Sequence, residues 1–312
     1  MTSREWPLIF VMKYHREAAP RDDVGRPEDW RAVVQEESGG LAGEGREVSV
    51  IDSLLHPEAE RIRSLLTRSG RLKQNATLID DEENILQALS AGVSVGSVFF
   101  AGEQVVSERL RRALPPGVPI RQVAWRTCKK LFGTDKISRL FALAVTPAPT
   151  PLSAIESISR DIVVLEDVSI SGNIGNVLRT SVAFGLGAMV LLNLEPVDVF
   201  DRRLIRASRG FVFGLPIITA STTEFVRRCQ DSGRKIVLAE AHADAVLDDI
   251  VGWIEPLALT LGSEKQGASQ VLANAAALRV RIPTDPRVES LNVSAAAAIL
   301  LHSRRSFNIP RA

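Results

Sequence analysis

Three short stretches of this 312-residue chain hold residues whose types and spacing suit joint chemistry. Asn173-Ile174-Gly175-Asn176-Val177-Leu178-Arg179-Thr180 carries two amides and a guanidinium within about two helical turns. Gly262-Ser263-Glu264-Lys265-Gln266-Gly267 sets a carboxylate between two glycines, which let backbone amides come close to a ligand. Ser290-Leu291-Asn292 adds a hydroxyl and another amide ahead of an alanine-rich run. Such groups hold a polar substrate and stabilise developing charge, which is catalysis by positioning and electrostatics. Each has a duller explanation when taken alone. Ser290 and Asn292 sit where helix caps sit, Arg179 could make a surface ion pair, and glycines after strands are commonly turn residues.

Other chemistries lack their signatures. No G-x-G-x-x-G or G-x-x-x-x-G-K-[ST] motif is present, which argues against a nicotinamide or nucleoside-triphosphate enzyme. Cys128 and Cys229 lie far apart, as do His15, His56, His242 and His302, so no metal site is expected. Two unpaired cysteines fit reduced thiols in a cytoplasmic protein. Pro7 to Met12 is too short for a signal-peptide core, and no stretch has the length of a membrane span.

The elements that must position these groups read as α/β throughout. Residues 1–48 mix charges without periodicity and include a glycine-rich run, Ser38 to Gly45, so a flexible extension is expected. Residues 49–145 alternate helix and strand: a helix from Pro57 to about Ser69, strands at 76–79, 93–100, 118–123 and 140–145, and helices at 80–91, 105–114 and 126–132. Thr146-Pro147-Ala148-Pro149-Thr150-Pro151 opens a proline-rich linker, 146–160. Residues 161–312 then predict six buried strands (162–166, 188–192, 215–219, 235–239, 257–261 and 278–282), separated by helices. That pattern implies a mainly parallel sheet covered on both faces. The three stretches all leave carboxyl ends of these strands, where ligands sit in open α/β sheets.

A net charge of +1 leaves no global sign to steer RNA or acidic ligands. Locally, Arg121, Arg126, Lys129, Lys130, Lys136 and Arg139 face a single acid, Asp135, so this stretch is the candidate nucleic-acid surface.

In this order, N-I-G-N-V-L-R-T, G-S-E-K-Q-G and I-P followed by S-L-N-V-S-A-A-A-A resemble the three motifs of the SPOUT superfamily of S-adenosyl-L-methionine (AdoMet)-dependent methyltransferases. The match is to the TrmH-like branch, which methylates ribose 2′-hydroxyls of RNA. Asp201 to Pro216, and Ala76-Thr77-Leu78-Ile79-Asp80-Asp81, look like the thiostrepton/nosiheptide-resistance 23S rRNA methyltransferases in particular.

That resemblance implies a trefoil-knotted carboxyl-terminal domain, an amino-terminal ribosomal-protein-like RNA-binding domain, a homodimer and a bound AdoMet. It puts Asn173, Arg179, Glu264, Ser290 and Asn292 at catalytic positions. Ala239, Glu240, Gly262, Ser263, Ile282 and Leu291 fall beside the cofactor. We further expect Arg206, Arg209, Lys129 and Lys130 to meet RNA phosphates. Thiopeptide resistance through 23S rRNA is the leading expectation. A tRNA or other rRNA substrate, or a non-catalytic RNA-binding or ribosome-assembly role, are the alternatives.

Overall fold

In the first unit, His56 accepts a hydrogen bond from the Glu58 amide and caps α1 (Pro57–Leu65). The computed structural model describes residues 50–193, 198–250 and 252–306, so the expected extension at 1–48 lies outside the described residues. The single helix expected to Ser69 is broken. Thr67 turns its hydroxyl back onto the Gly70 amide and starts α2 (Arg68–Gln74). Gly70 therefore opens a helix rather than ending one. A Cβ there would lie 2.0 Å from the Ser64 carbonyl oxygen, so only glycine lets the two helices meet.

The first sheet contains β1 (Ala76–Asp80), β2 (Val95–Ala101), β3 (Ile120–Val123) and β4 (Leu140–Val145), in the order β1-β4-β2-β3. β4 runs antiparallel to both neighbours, and β2 and β3 are parallel. Between them lie α3 (Glu82–Ser90), α4 (Glu108–Ala113) and α5 (Trp125–Phe132). Phe99 and Phe141 stack at 5.3 Å in the core on one face.

The proline-rich segment leads into a 3₁₀ turn, Leu152–Ser157, whose Ile155 is fully buried. Arg234 donates to the carbonyls of Ile155 and Ile158, docking the segment onto the second unit.

That unit is built on β5 (Ile162–Glu166), β6 (Ala188–Leu192), β7 (Ile217–Ala220), β8 (Lys235–Ala239), β9 (Ala245–Val246), β10 (Leu257–Leu261) and β11 (Leu278–Arg281). All six expected strands are present, but β11, next to the edge strand, is not buried as expected: only its Val280 is. β9 is an addition, too short to leave a periodic trace. Every pairing is parallel, in the order β7-β6-β5-β10-β8-β11-β9. Alternation along a strand sends successive side chains to opposite faces. Val163 and Leu165 accordingly enter one apolar cluster and Ile162 and Val164 another.

The helices are α6 (Ser171–Ala183), α7 (Arg202–Ala207), α8 (Thr222–Ser232), α9 (Gln270–Ala275) and α10 (Val293–Ser306). α8 carries a full capping box, Ser221 with Glu224. β10 re-enters between β5 and β8, β11 lies beyond β8, and α10 returns to pack on α6.

The two units pack into one compact body, and one apolar cluster runs between their sheets. It joins Ile79, Ile85 and Val98 of the first sheet's layer to Leu204, Ile205 and Val212 of the second unit.

Candidate active site

The order in which strands are added to the sheet reverses between β5 and β10. β6 and β7 extend to one side and β8 and β11 to the other, so the loops after β5 and β10 diverge and leave a crevice. α6 begins at Ser171, so Asn173 sits in its first helical turn.

Three chain segments meet here through one oxygen. Glu264 Oε1 accepts from Asn173 Nδ2 at 3.2 Å, from Asn292 Nδ2 at 2.7 Å and from the Val293 amide at 3.1 Å. Asn292 Nδ2 also donates to Asn173 Oδ1 at 3.2 Å. Meanwhile Asn292 Oδ1 accepts from the Ser294 amide at 3.0 Å and caps α10. The capping and the chemical readings of Asn292 thus hold together, one on each side-chain atom. The Glu264 carboxylate also faces the positive end of α10.

Two cavities flank this knot of hydrogen bonds. One, of about 450 Å³, is lined by Ala239, Glu240, Gly262, Ser263, Ile282 and Leu291, with Glu264 and Ser290 on its wall. The other, about 420 Å³, opens between Asp167 to Asn173 and the loop 263–266. That loop is the wall between them, with Ser263, Glu264, Lys265 and Gln266 lining both. Its shape depends on Gly262, where a Cβ would lie 2.3 Å from the Gly267 carbonyl carbon and 2.4 Å from the Ala268 nitrogen. Ser263 and Gly267 close the loop with a pair of backbone hydrogen bonds. The larger cavity has the size of a small-molecule site. Its apolar walls (Leu261, Ile282, Leu291) suit a purine. Its carboxylates, Glu240 and Glu289, suit a cationic ligand.

The expected residues do not all converge. Ser290 lines the cavity but is exposed and joins none of the hydrogen bonds around Glu264. Arg179 is exposed and stands about 9 Å along α6 from Asn173 and about 120° around it. Lys129 and Lys130 are exposed on α5, where Lys129 and Arg139 approach the Trp125 ring at 5.7 and 4.7 Å. Arg209 is exposed in a left-handed turn with φ 52°.

Arg206 requires a correction. Instead of facing solvent phosphates, its guanidinium donates to Asp80 Oδ2 at 2.6 Å and its side chain is only 19% exposed. An acid on the first sheet neutralises it, and sequence spacing could not show that pairing.

Glu166 was overlooked. Its buried carboxylate, at the end of a strand otherwise wholly apolar, takes hydrogen bonds from the Thr222 hydroxyl and from the Ser269 amide and hydroxyl. An acid closing such a strand needs buried donors, and that was the available signal. Through Ser269 it anchors the downstream end of the cavity loop.

No group of three or more His, Cys, Asp or Glu side chains among the described residues is placed to hold a metal. Among those residues, no helix is long and apolar enough to cross a membrane.

Comparison with known proteins agrees with this geometry. The SpoU rRNA methylase family model matches residues 161–302, and the model of the thiostrepton-resistance methylase amino terminus matches 48–158. A 23S rRNA (adenosine(1067)-2′-O)-methyltransferase of Streptomyces laurentii is 36% identical over 85% of this chain and 98% of its own. That of Streptomyces azureus is 32% identical over 83% and 97%. The AdoMet-bound rRNA methyltransferase of Sinorhizobium meliloti superposes with a TM-score of 0.72 at 25% identity, covering 84% of this chain and 99% of its own. The chain therefore belongs to the SpoU rRNA methylase family, bears the amino-terminal domain of the thiostrepton-resistance methylases, and is an AdoMet-dependent RNA 2′-O-ribose methyltransferase.

Proposed function

We propose that this enzyme methylates a ribose 2′-hydroxyl of 23S rRNA in the region that thiopeptide antibiotics bind, and that it works as a homodimer. The chemistry rests on the meeting of Asn173, Glu264 and Asn292 beside a cofactor-sized cavity. The choice of RNA is supported by the likeness of both units to the adenosine(1067) enzymes.

The larger cavity takes AdoMet, which supplies an electrophilic sulfonium methyl when bound. Ala239, Glu240, Gly262, Ser263, Ile282 and Leu291 hold it. Asn173, Glu264, Ser290 and Asn292 orient the acceptor ribose at the rim. Arg179 clamps an RNA phosphate and polarises the hydroxyl as a permanent cation, a role that needs no deprotonated guanidinium. Arg179 lies about 120° around α6 from Asn173, which fits a role in the site of the second copy. Lys129, Lys130 and Arg209 contact RNA phosphates farther away.

The test is to map 2′-O-methyl groups on 23S rRNA after incubation with enzyme and AdoMet. One methylated ribose in the thiopeptide-binding region is expected, and methylation of tRNA or of another rRNA site instead would overturn the substrate. Mixing Arg179→Ala and Asn173→Ala chains should restore part of the activity that each lacks alone. No restoration would remove the two-chain site.

A further inference from the structure

The function described above assigns no role to the ionic clasp between the two units. Asp80, at the end of β1, is 1% exposed, yet it carries two arginines from α7. Arg202 binds it in fork fashion, Nε to Oδ2 at 2.9 Å and Nη2 to Oδ1 at 3.0 Å, while Arg206 adds a bond at 2.6 Å. Arg202, 4% exposed, also donates to the Lys136 carbonyl and lies 4.4 Å above the Phe132 ring. A second pair runs in the opposite sense. Arg71 from the first unit, 5% exposed, binds Asp198 at 2.6 Å and Asp201 at 3.1 Å. Thr77 donates to the Phe200 carbonyl at 2.8 Å. The chain then turns at Gly210, where an added Cβ would lie 2.9 Å from Asn84 Cα, so backbone meets backbone across the junction.

The opposite face of this segment is equally tight. A Cβ on Gly175 of α6 would lie 2.5 Å from Ala207 Cβ and 2.8 Å from the Ser208 nitrogen. Gly175 is two residues from Asn173, the α6 member of the active-site cluster. α7 is thus held by buried charge to the first unit and by close backbone packing to the helix that carries Asn173 and Arg179.

We propose that α7 is a rigid coupling that sets the register between the RNA-docking unit and the methyl-transfer crevice, with Asp80 as its positioning residue. Asp80 is buried and lines neither of the two cavities. It fixes how far from the docked RNA the reactive crevice sits, and so which ribose is presented. Buried forked arginine–carboxylate pairs suit this role because they are directional and lose heavily when one partner is removed. A flexible tether would present neighbouring riboses in turn. This inference rests on the reading that the first unit docks RNA.

The experiment compares wild type, Asp80→Asn and Arg206→Gln. Arg206→Gln removes a partly exposed arm and leaves the fork intact, so it carries the test if Asp80→Asn fails to fold. Two substrates are used, a long 23S rRNA fragment and a short hairpin that reaches only the crevice. On the long RNA Asp80→Asn should lose about tenfold in kcat and Arg206→Gln about threefold, while both keep wild-type turnover on the hairpin and bind AdoMet unchanged. Methyl mapping should show additional riboses beside the original one.

The interdomain distance is read separately by fluorescence transfer between dyes on Glu103→Cys and Gln270→Cys, both exposed positions. The variants should broaden it. A single methylated ribose at the wild-type rate, or equal losses on both RNAs together with weakened AdoMet binding, would overturn the coupling. If wild type itself methylates no rRNA, the functional reading fails, and the distance measurement still decides whether α7 is a rigid joint.

Discussion

Replacing Glu264 tests the centre of the site directly. Its Oε1 accepts three hydrogen bonds, the shortest 2.7 Å from Asn292, and so joins α6, the cavity loop and α10. A buried bond to a charged acceptor is worth about 1.5–3 kcal/mol. Glu264 is exposed, and solvent screening reduces each bond to about 1 kcal/mol or less. The three together come to about 2 kcal/mol, which corresponds to about thirtyfold in kcat/KM at about 1.4 kcal/mol per decade. Glu264→Ala should therefore lower kcat/KM about thirtyfold in a tritiated-methyl transfer assay, with an unchanged far-ultraviolet spectrum. Glu264→Gln keeps an oxygen acceptor and loses only the charge, so its loss should be about three- to fivefold. Near-wild-type turnover in Glu264→Ala, or equal losses in both variants, would refute the idea that this oxygen organises the site.

Other substitutions probe the remaining parts. Gly262→Ala drives a Cβ into the Gly267–Ala268 backbone, so AdoMet affinity by calorimetry should fall at least about tenfold while the melting curve keeps its single transition. Arg179→Ala should abolish methyl transfer and leave AdoMet binding intact, and near-normal turnover would remove its role. Charge reversal of Lys129 and Lys130 should weaken rRNA binding and flatten its dependence on salt, and unchanged affinity at low salt would return α5 to an ordinary solvated face. Burial pushes the Cys128 thiol up to about 11 and that of Cys229 up to about 12, both above the ordinary value near 9. Because the unfolded chain releases these protons first, their stabilising contribution is complete below about pH 9 and declines as pH rises toward 11–12. Urea midpoints should fall over that window, and a Cys128→Ala/Cys229→Ala double variant should show a smaller alkaline decline.

Much of the fold was legible because its strands are apolar runs bounded by strong punctuation. Ile162-Val163-Val164-Leu165 and Leu257 to Leu261 read as buried strands and lead into two of the polar loops, whereas the third loop follows Leu278–Arg281, where only Val280 is buried. Local competition between backbone and side chain was less visible. Thr67 breaks one helix into two by capping the second, and α6 starts at Ser171 although Ile170 offers no side-chain cap. The partners of charged residues were hidden altogether. Arg206 belongs to Asp80, which is distant in sequence, and Glu166 to Ser269 and Thr222. Pairings of that kind depend on which strand ends are neighbours in space, and composition carries no record of it.

The loop 263–266, which stands between the two cavities, has a thermodynamic consequence. A ligand on one side cannot restrain Ser263 to Gln266 without altering the surface offered on the other. Occupancy of the two sides is then linked, and the linkage is reciprocal: whatever factor a ligand in one cavity contributes to affinity in the other, the second ligand returns to the first.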